Sequence, residues 1–541
     1  MKIKDHADVI FLNGNVITAN ENNETAQAVA VKDNVIVYCG EENGARELAG
    51  KDTEIIDAEG RTIMPGFTDS HIHFCSLGLK KGPIIDINYE NVRSVKGITE
   101  MIRKAAARKK PGEWIVLSGY DHNKLDEKRH PSIEELDEAA PDNPVRCIRC
   151  CAHMGVYNSA ALKIGGISDP LEYGEGEVVS ENDKLTGLLK ENAHMYMGSF
   201  VKFTEEELKE GIRLADEDMA RYGITSVCDA GGDGVDAWPV MRKMADSGEI
   251  NTRIRCMIFD LAGKEGNKKA IDDFLSGGYE TFGESNSFGA RAVKIMIDGS
   301  SSGPSSATRQ PYSHDKDLKG ILVWEQNEID EVVEKVHNAG FQMTAHAVGD
   351  KAVEMILNAI EKAQRAHPRE GARHRIEHCG IVDEELIERL KRLEMVPVAN
   401  PGFIERNGKD YNRFYGERVD YMFPLRRFLD KGIVTAIGSD APVVPENPMN
   451  GLYGALTRKD GFTGEAVGEC QKISLLEAVK MYTYNGAYAC FDEKSRGSIE
   501  EGKLADIIML SEDIMKIPAE DIRNVEPVLT MTDGKIVYRK L

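Results

Sequence analysis

No stretch of this chain approaches the roughly 18 uninterrupted apolar residues that a membrane-crossing helix requires. The opening residues, MKIKDHADVIFLNG, have neither the long apolar segment of a secretory leader nor the Arg-rich amphipathic character of an organelle signal. A cytoplasmic location, away from any membrane, is therefore expected. Positive charge is also scarce. Sixty-eight Lys and Arg face ninety Asp and Glu, a net charge of −22, and no basic stripe offsets it. Such a surface repels phosphates, so nucleic acid is excluded as a partner. The ten cysteines are scattered. Cys147, Cys150 and Cys151 form a CxxCC cluster, but no second CxxC follows at zinc-ribbon spacing, and reduced buried thiols are the simpler reading. There is no GxGxxG to open a dinucleotide fold, no solenoid repeat and no low-complexity tract. The 541 residues leave room for several domains, or for one barrel with attachments.

What the chain does contain is punctuated. Near the start, DVIFL and NVITA flank Asn13-Gly14, and AVAVK and VIVYC flank Asp33-Asn34. Near the end, VLTMT and KIVYR flank Asp533-Gly534. Each reads as a β-hairpin. Neither end has enough strands to bury a core alone, so residues 1–64 and 490–541 are expected to pair as one small composite β-sandwich. Between them, residues 65–489 alternate strands with helices. Apolar strand-like runs occur at 223–230, 290–298, 341–348, 372–380, 395–400 and 433–440, with another before His71. The helical stretch EIDEVVEKVHNAG places Ile329, Val332, Val333 and Val336 on one face and ends at Gly340. Repeated strand–helix units imply a parallel sheet, and their number fits an α/β protein of the (β/α)₈ TIM-barrel class. Residues from about 76 to 200 break the rhythm and read as an insertion.

The barrel reading makes the strand ends informative, because catalytic groups of such barrels gather there. PGFTDSHIHF ends one run with His71 and His73, two residues apart and so on one side of a strand. Others carry Lys294 or end at His346, His378 and Asp440. Each has a structural alternative: His346 as a satisfied core histidine, Asp440 as a helix cap, Arg373 and Glu377 as an ordinary ion pair. Five strand ends together point to a metal site. Lys294 lies between apolar neighbours on a face with Ala292, Met296 and Asp298. A buried ammonium is costly and would repel a metal, whereas a neutral amine can take up CO₂ as a carbamate. That carbamate could bridge one cation held by His71, His73 and Asp440 and another held by His346 and His378. The alternative is a lysine that snorkels to solvent or to Asp298.

The ordered set PGFTDSHIHF, VKIMIDGS, TAHAVGD, RIEHCG and GSDAP resembles the amidohydrolase superfamily, in the branch of N-substituted formamide deformylase-like enzymes. RCCAHMGVYNSAALKIGGI (149–167) and GSIEEGKLADIIML extend the likeness over nearly the whole chain. The resemblance implies the barrel with its composite β-sandwich and metal-dependent hydrolysis. It makes His71, His73, Lys294, His346, His378 and Asp440 metal ligands, with Lys294 carboxylated. Where the branch often has Gln-Pro, this chain has Asn400-Pro401, which places Asn400 near the substrate. One or two divalent ions, zinc for choice, are expected to activate water against an amide or related C–N bond of a small molecule, with Asp440 shuttling the proton. His153, Tyr120 and Arg309, the last in the loop DGSSSGPSSATR, are candidates for orienting substrate. Competing readings are an ester, lactone, deamination or isomerisation reaction on the same metals, or a silent sensor or scaffold. Self-association as a homodimer is a further expectation.

Overall fold

The computed structural model describes residues 6–540 apart from 89, 151–153, 169–177, 183, 233–236, 261–262 and 278–284. Its centre is an eight-stranded parallel sheet. The strands, in chain order, are β1 (Phe67–Ile72), β2 (Ile224–Asp229), β3 (Arg253–Ile258), β4 (Phe288–Met296), β5 (Gln342–Ala347), β6 (Arg375–His378), β7 (Val396–Ala399) and β8 (Ala436–Ile437). Each pairs with its successor. The seam between β8 and β1 is joined just beyond the short last strand: Asp440 N donates to His71 O at 2.6 Å, and His73 N donates to Ala441 O at 2.8 Å. Gly438 permits that approach, since a Cβ there would sit 2.5 Å from His71 N. The result is a (β/α)₈ barrel. Helices cover it, among them Gln326–Asn338, which buries Ile329, Val332, Val333 and Val336 as the spacing predicts. Among the described residues no helix is long and apolar enough to cross a membrane.

One barrel strand had no counterpart in the sequence reading. Strand β3, RIRCMI, carries two arginines in place of an apolar run. Both are spent on carboxylates of the C-terminal segment: Arg253 on Asp506 and Arg255 on Asp492, with Nε–O distances of 2.8 Å in each pair.

Both chain ends share one six-stranded sheet, in which Ile507–Leu510 pairs with Thr62–Pro65 and Pro527–Thr532. A four-stranded sheet of N-terminal strands faces the same apolar core. The Asp33-Asn34 and Asp533-Gly534 turns close antiparallel hairpins. The Asn13-Gly14 turn does not. Val9–Leu12 belongs to the four-stranded sheet and Asn15–Ile17 to the six-stranded one, so this corner carries the chain from one sheet to the other. Asn13 takes a left-handed φ of 53°, and Gly14 sits against Ile63, where a Cβ would meet Cδ1 at 2.4 Å.

Between β1 and β2, after the helix Phe74–Lys81, the chain builds a separate six-stranded mixed sheet from Ile85–Asp86 to Lys184–Lys190. It returns to the barrel through the helix Glu205–Arg221, whose Thr204 and Glu207 form a reciprocal N-terminal cap.

Candidate metal centre

His71 is fully buried at the end of β1, and His73 follows as the residue that starts the next helix. Each imidazole has one nitrogen fixed by the fold, which aims the other inward. His71 Nδ1 lies 2.5 Å from Glu377 Oε2. His73 Nδ1 donates to Gly231 O at 2.6 Å, and His378 Nδ1 donates to Asn400 Oδ1 at 2.8 Å. His346 is held by the other nitrogen, Nε2 to Gly299 O at 3.1 Å. Second partners of this kind fix the tautomer and ring direction of metal-binding histidines.

The inward nitrogens converge with Asp440. Its Oδ1 is 3.4 Å from both His71 Nε2 and His73 Nε2. His71, His378 and Asp440 each present a ligand atom, and these atoms lie within 4.8 Å of one another. The His346 ring sits edge-on to His378, with centroids 4.5 Å apart. Lys294 Nζ is 3.4 Å from His71 Nε2. The structure thus brings together all six residues singled out at the strand ends. Their donor set, imidazoles and a carboxylate with supported second nitrogens, fits a divalent cation. His378 and Asp440 hold left-handed φ values of 69° and 63°, a backbone cost that clusters at functional sites.

The electrostatics weaken the ammonium form of Lys294 and strengthen the carboxylate form of Asp440. Burial lowers the Lys294 ammonium pKa below its usual value, against the opposing charges of Asp440 and Glu377. Burial also works against the Asp440 carboxylate, but hydrogen bonds from His71 and His73 outweigh it and hold the pKa well below the usual range. Lys294 does not reach Asp298. That carboxylate is buried and saturated by the backbone N–H groups of Val348, Gly349 and Ala307 at 2.8–3.0 Å.

Several supporting residues were not singled out from the sequence. Glu377 receives a fork from Arg375, with Nε–Oε1 at 2.8 Å and Nη2–Oε2 at 3.0 Å, as well as the Thr344 hydroxyl. Arg375, not Arg373, is its ion-pair partner; Arg373 pairs with Glu493 at 2.8 Å. Strand alternation carries the signal, since residues 375 and 377 share a face. Asp69 accepts from Ser439 N at 2.9 Å and His71 N at 3.2 Å, and so ties β1 to the Asp440 loop.

The expected substrate contacts fare differently. Asn400 is fully buried with both ends of its amide engaged, Oδ1 by His378 and Nδ2 by Gly438 O at 2.7 Å, so it orients a candidate ligand. The Arg309 guanidinium is held by Asp383 and Glu385, each at 3.0 Å. Tyr120 is buried in the inserted sheet's core, with its hydroxyl 2.7 Å from His130 Nδ1. His153 lies outside the described residues.

The model of the amidohydrolase family matches residues 54–538. The chain belongs to the amidohydrolase family. This amidohydrolase is 30% identical to YtcJ of Bacillus subtilis (strain 168) over 98% of its own length and 99% of that protein. It is 28% identical to an N-substituted formamide deformylase of Arthrobacter pascens over 98% of both chains. Among solved structures, a metal-dependent hydrolase from Pyrococcus furiosus superposes with a TM-score of 0.76 at 26% identity, over 94% of this amidohydrolase and all of that chain. The amidohydrolase is accordingly a metal-dependent hydrolase of a small-molecule substrate.

Proposed function

We propose that this amidohydrolase hydrolyses an amide or related C–N bond, using zinc held by His71, His73, His346, His378, Asp440 and a carboxylated Lys294. The observation that carries the reading is the convergence of His71, His378 and Asp440 within 4.8 Å, beside a buried lysine. The choice of bond is supported by the likeness to an N-substituted formamide deformylase along both chains. A bound divalent ion supplies Lewis-acid polarisation of the scissile carbonyl and acidifies a water molecule.

The chain's own residues do the rest. Glu377, Asn400 and the Gly231 and Gly299 carbonyls fix the imidazoles before substrate arrives, so no reorientation is needed at the moment of reaction. Lys294 Nζ, once it has given up its ammonium proton, attacks CO₂: the N–C bond forms as a C=O π bond opens, a second proton leaves, and a side chain that would repel the metal as an ammonium attracts it as a carbamate anion. The Asp440 carboxylate takes a proton from the attacking water and returns it to the departing amine nitrogen as the C–N bond breaks. Its strongly lowered pKa keeps it ionised, as a metal-binding carboxylate must be.

A panel of N-formyl and N-acyl amines, esters and lactones, assayed with the zinc-loaded enzyme, tests the choice of bond. Amine release from the amides with little ester or lactone turnover is expected; turnover confined to esters or lactones would overturn it. Bicarbonate-dependent reactivation of the metal-free enzyme tests the carbamate. A Lys294→Ala variant with full metal content and activity would rule it out.

A further inference from the structure

Against Arg375, the barrel interior holds a second buried polar group that the hydrolytic chemistry does not use. Cys228 of β2 is 1% exposed. Its sulfur accepts a hydrogen bond from Arg375 Nη1 at 3.3 Å. Cys490, which follows the last helix of the barrel, is 6% exposed and packs with Cys228 in one small buried cluster. Both sulfurs belong to free cysteines. Cys228, Cys490 and Arg375 line one cleft with Gln342 and Phe491. Arg375 also reaches the metal centre: its guanidinium forks onto Glu377, which holds His71 Nδ1, and its Nη2 donates to Ser70 O at 2.6 Å, one residue before His71. The thiol, the guanidinium, the carboxylate and the imidazole form one continuous chain of contacts.

We propose that Cys228 and Cys490 are a redox-responsive dithiol, and that their oxidation by a peroxide to a disulfide loosens the hold of Arg375 and Glu377 on His71 and weakens metal binding. The geometry separates the two roles. Cys228 sits beside a fixed guanidinium and is the nucleophile; Cys490 is in contact with it and resolves. The neighbouring Cys490 and the Arg375 charge bring the Cys228 thiol down to about 7, whereas the neighbouring Cys228 and burial hold the Cys490 thiol well above its usual value. The Cys228 sulfur attacks one peroxide oxygen, the O–O bond breaks, and the departing hydroxide leaves as water with the thiol proton. The Cys490 sulfur then displaces hydroxide from the sulfenic acid, giving the S–S bond and a second water. Two thiols are oxidised and one peroxide is reduced. Once the Cys228 sulfur is bonded to Cys490 it no longer accepts from Arg375 as a thiolate, and the fork that fixes Glu377 loses one of its anchors.

The zinc-loaded enzyme treated with hydrogen peroxide tests this. After trapping with N-ethylmaleimide, non-reducing peptide mapping should recover a Cys228–Cys490 crosslink. Zinc release to a chromogenic chelator should rise by roughly the 10-fold or more typical of a lost outer-shell partner. Dithiothreitol should reverse both. A Cys490→Ala variant should hold zinc like the wild type without peroxide, form no crosslink and release no more zinc with it; Cys228→Ser serves the same purpose if Cys490→Ala fails to fold. Oxidation of the exposed Cys150 and Cys470 while Cys228 and Cys490 remain reduced would overturn the proposal, as would a crosslink that leaves zinc retention unchanged. The coupling rests on the metal assignment, and failure of that assignment shows separately, as no zinc bound before peroxide is added.

Discussion

The two ends of the barrel both bury charge, and they bury it differently. At the N-terminal ends of the strands three arginines meet carboxylates. Arg253 forks onto Asp506 and also reaches Asp533, Arg255 forks onto Asp492, and Arg373 forks onto Glu493. These pairs fasten the barrel to the C-terminal segment. At the C-terminal ends, four imidazoles and a lysine converge on Asp440. Among the described residues Lys294 Nζ meets no carboxylate within ion-pair distance, and its hydrogen-bond neighbour is the His71 ring. Buried charge that closes on itself is architecture, while buried donors that point at a common centre describe a ligand site.

The contrast can be broken by mutation. The largest effect is expected at the mouth. Asp440→Asn keeps the shape and one ligand oxygen but cannot accept the proton, so kcat should fall by ~10²–10⁴-fold while much of the metal stays bound. Metal analysis beside steady-state kinetics reads both. Wild-type kcat with wild-type pH dependence would move the proton transfer to another group.

At the other end, Arg253→Ala strands the buried Asp506 carboxylate. It should cost about 3–5 kcal/mol of stability in denaturant unfolding, with metal content per folded chain unchanged. Loss of metal without loss of stability would erase the distinction drawn between the two ends.

Glu377→Gln probes the support under His71. The amide cannot match the carboxylate's charge toward Arg375 and His71, and metal affinity should drop by roughly 10–100-fold in a chelator competition. Unchanged affinity would mean that His71 needs no such anchor.

The smallest effect belongs to Arg309→Ala. Its ion pairs with Asp383 and Glu385 are partly solvated, so stability should change by no more than about 1 kcal/mol and KM should not move. A large rise in KM would restore Arg309 as a substrate anchor.

How much of this was legible beforehand follows from the same contrast. Buried parallel strands read as apolar runs, and a polar residue ending such a run stands out; that is why His71, His346, His378 and Asp440 could be named from spacing alone. Strand β3 escaped because Arg253 and Arg255 interrupt its run, and their partners lie 253 and 237 residues away along the chain. The pairing of Arg373 went wrong for the same reason, since Glu493 is 120 residues on. Asn400 stands out as a departure from the Gln-Pro of the family branch, but what it does depends on His378 and Gly438, which no local pattern brings together. The Asn13-Gly14 corner has the composition of a hairpin turn; only the packing of two sheets shows that the strands on either side part company.

The most direct test of the central claim, that the mouth of the barrel is a divalent metal centre, is elemental analysis of the purified chain grown with added zinc, alongside His71→Ala, His378→Ala and Asp440→Ala variants. The account predicts one to two equivalents per wild-type chain, with a marked loss in each variant, because three elements of one cluster are removed in turn. Less than a tenth of an equivalent in the wild type, with no gain on reconstitution, would contradict it.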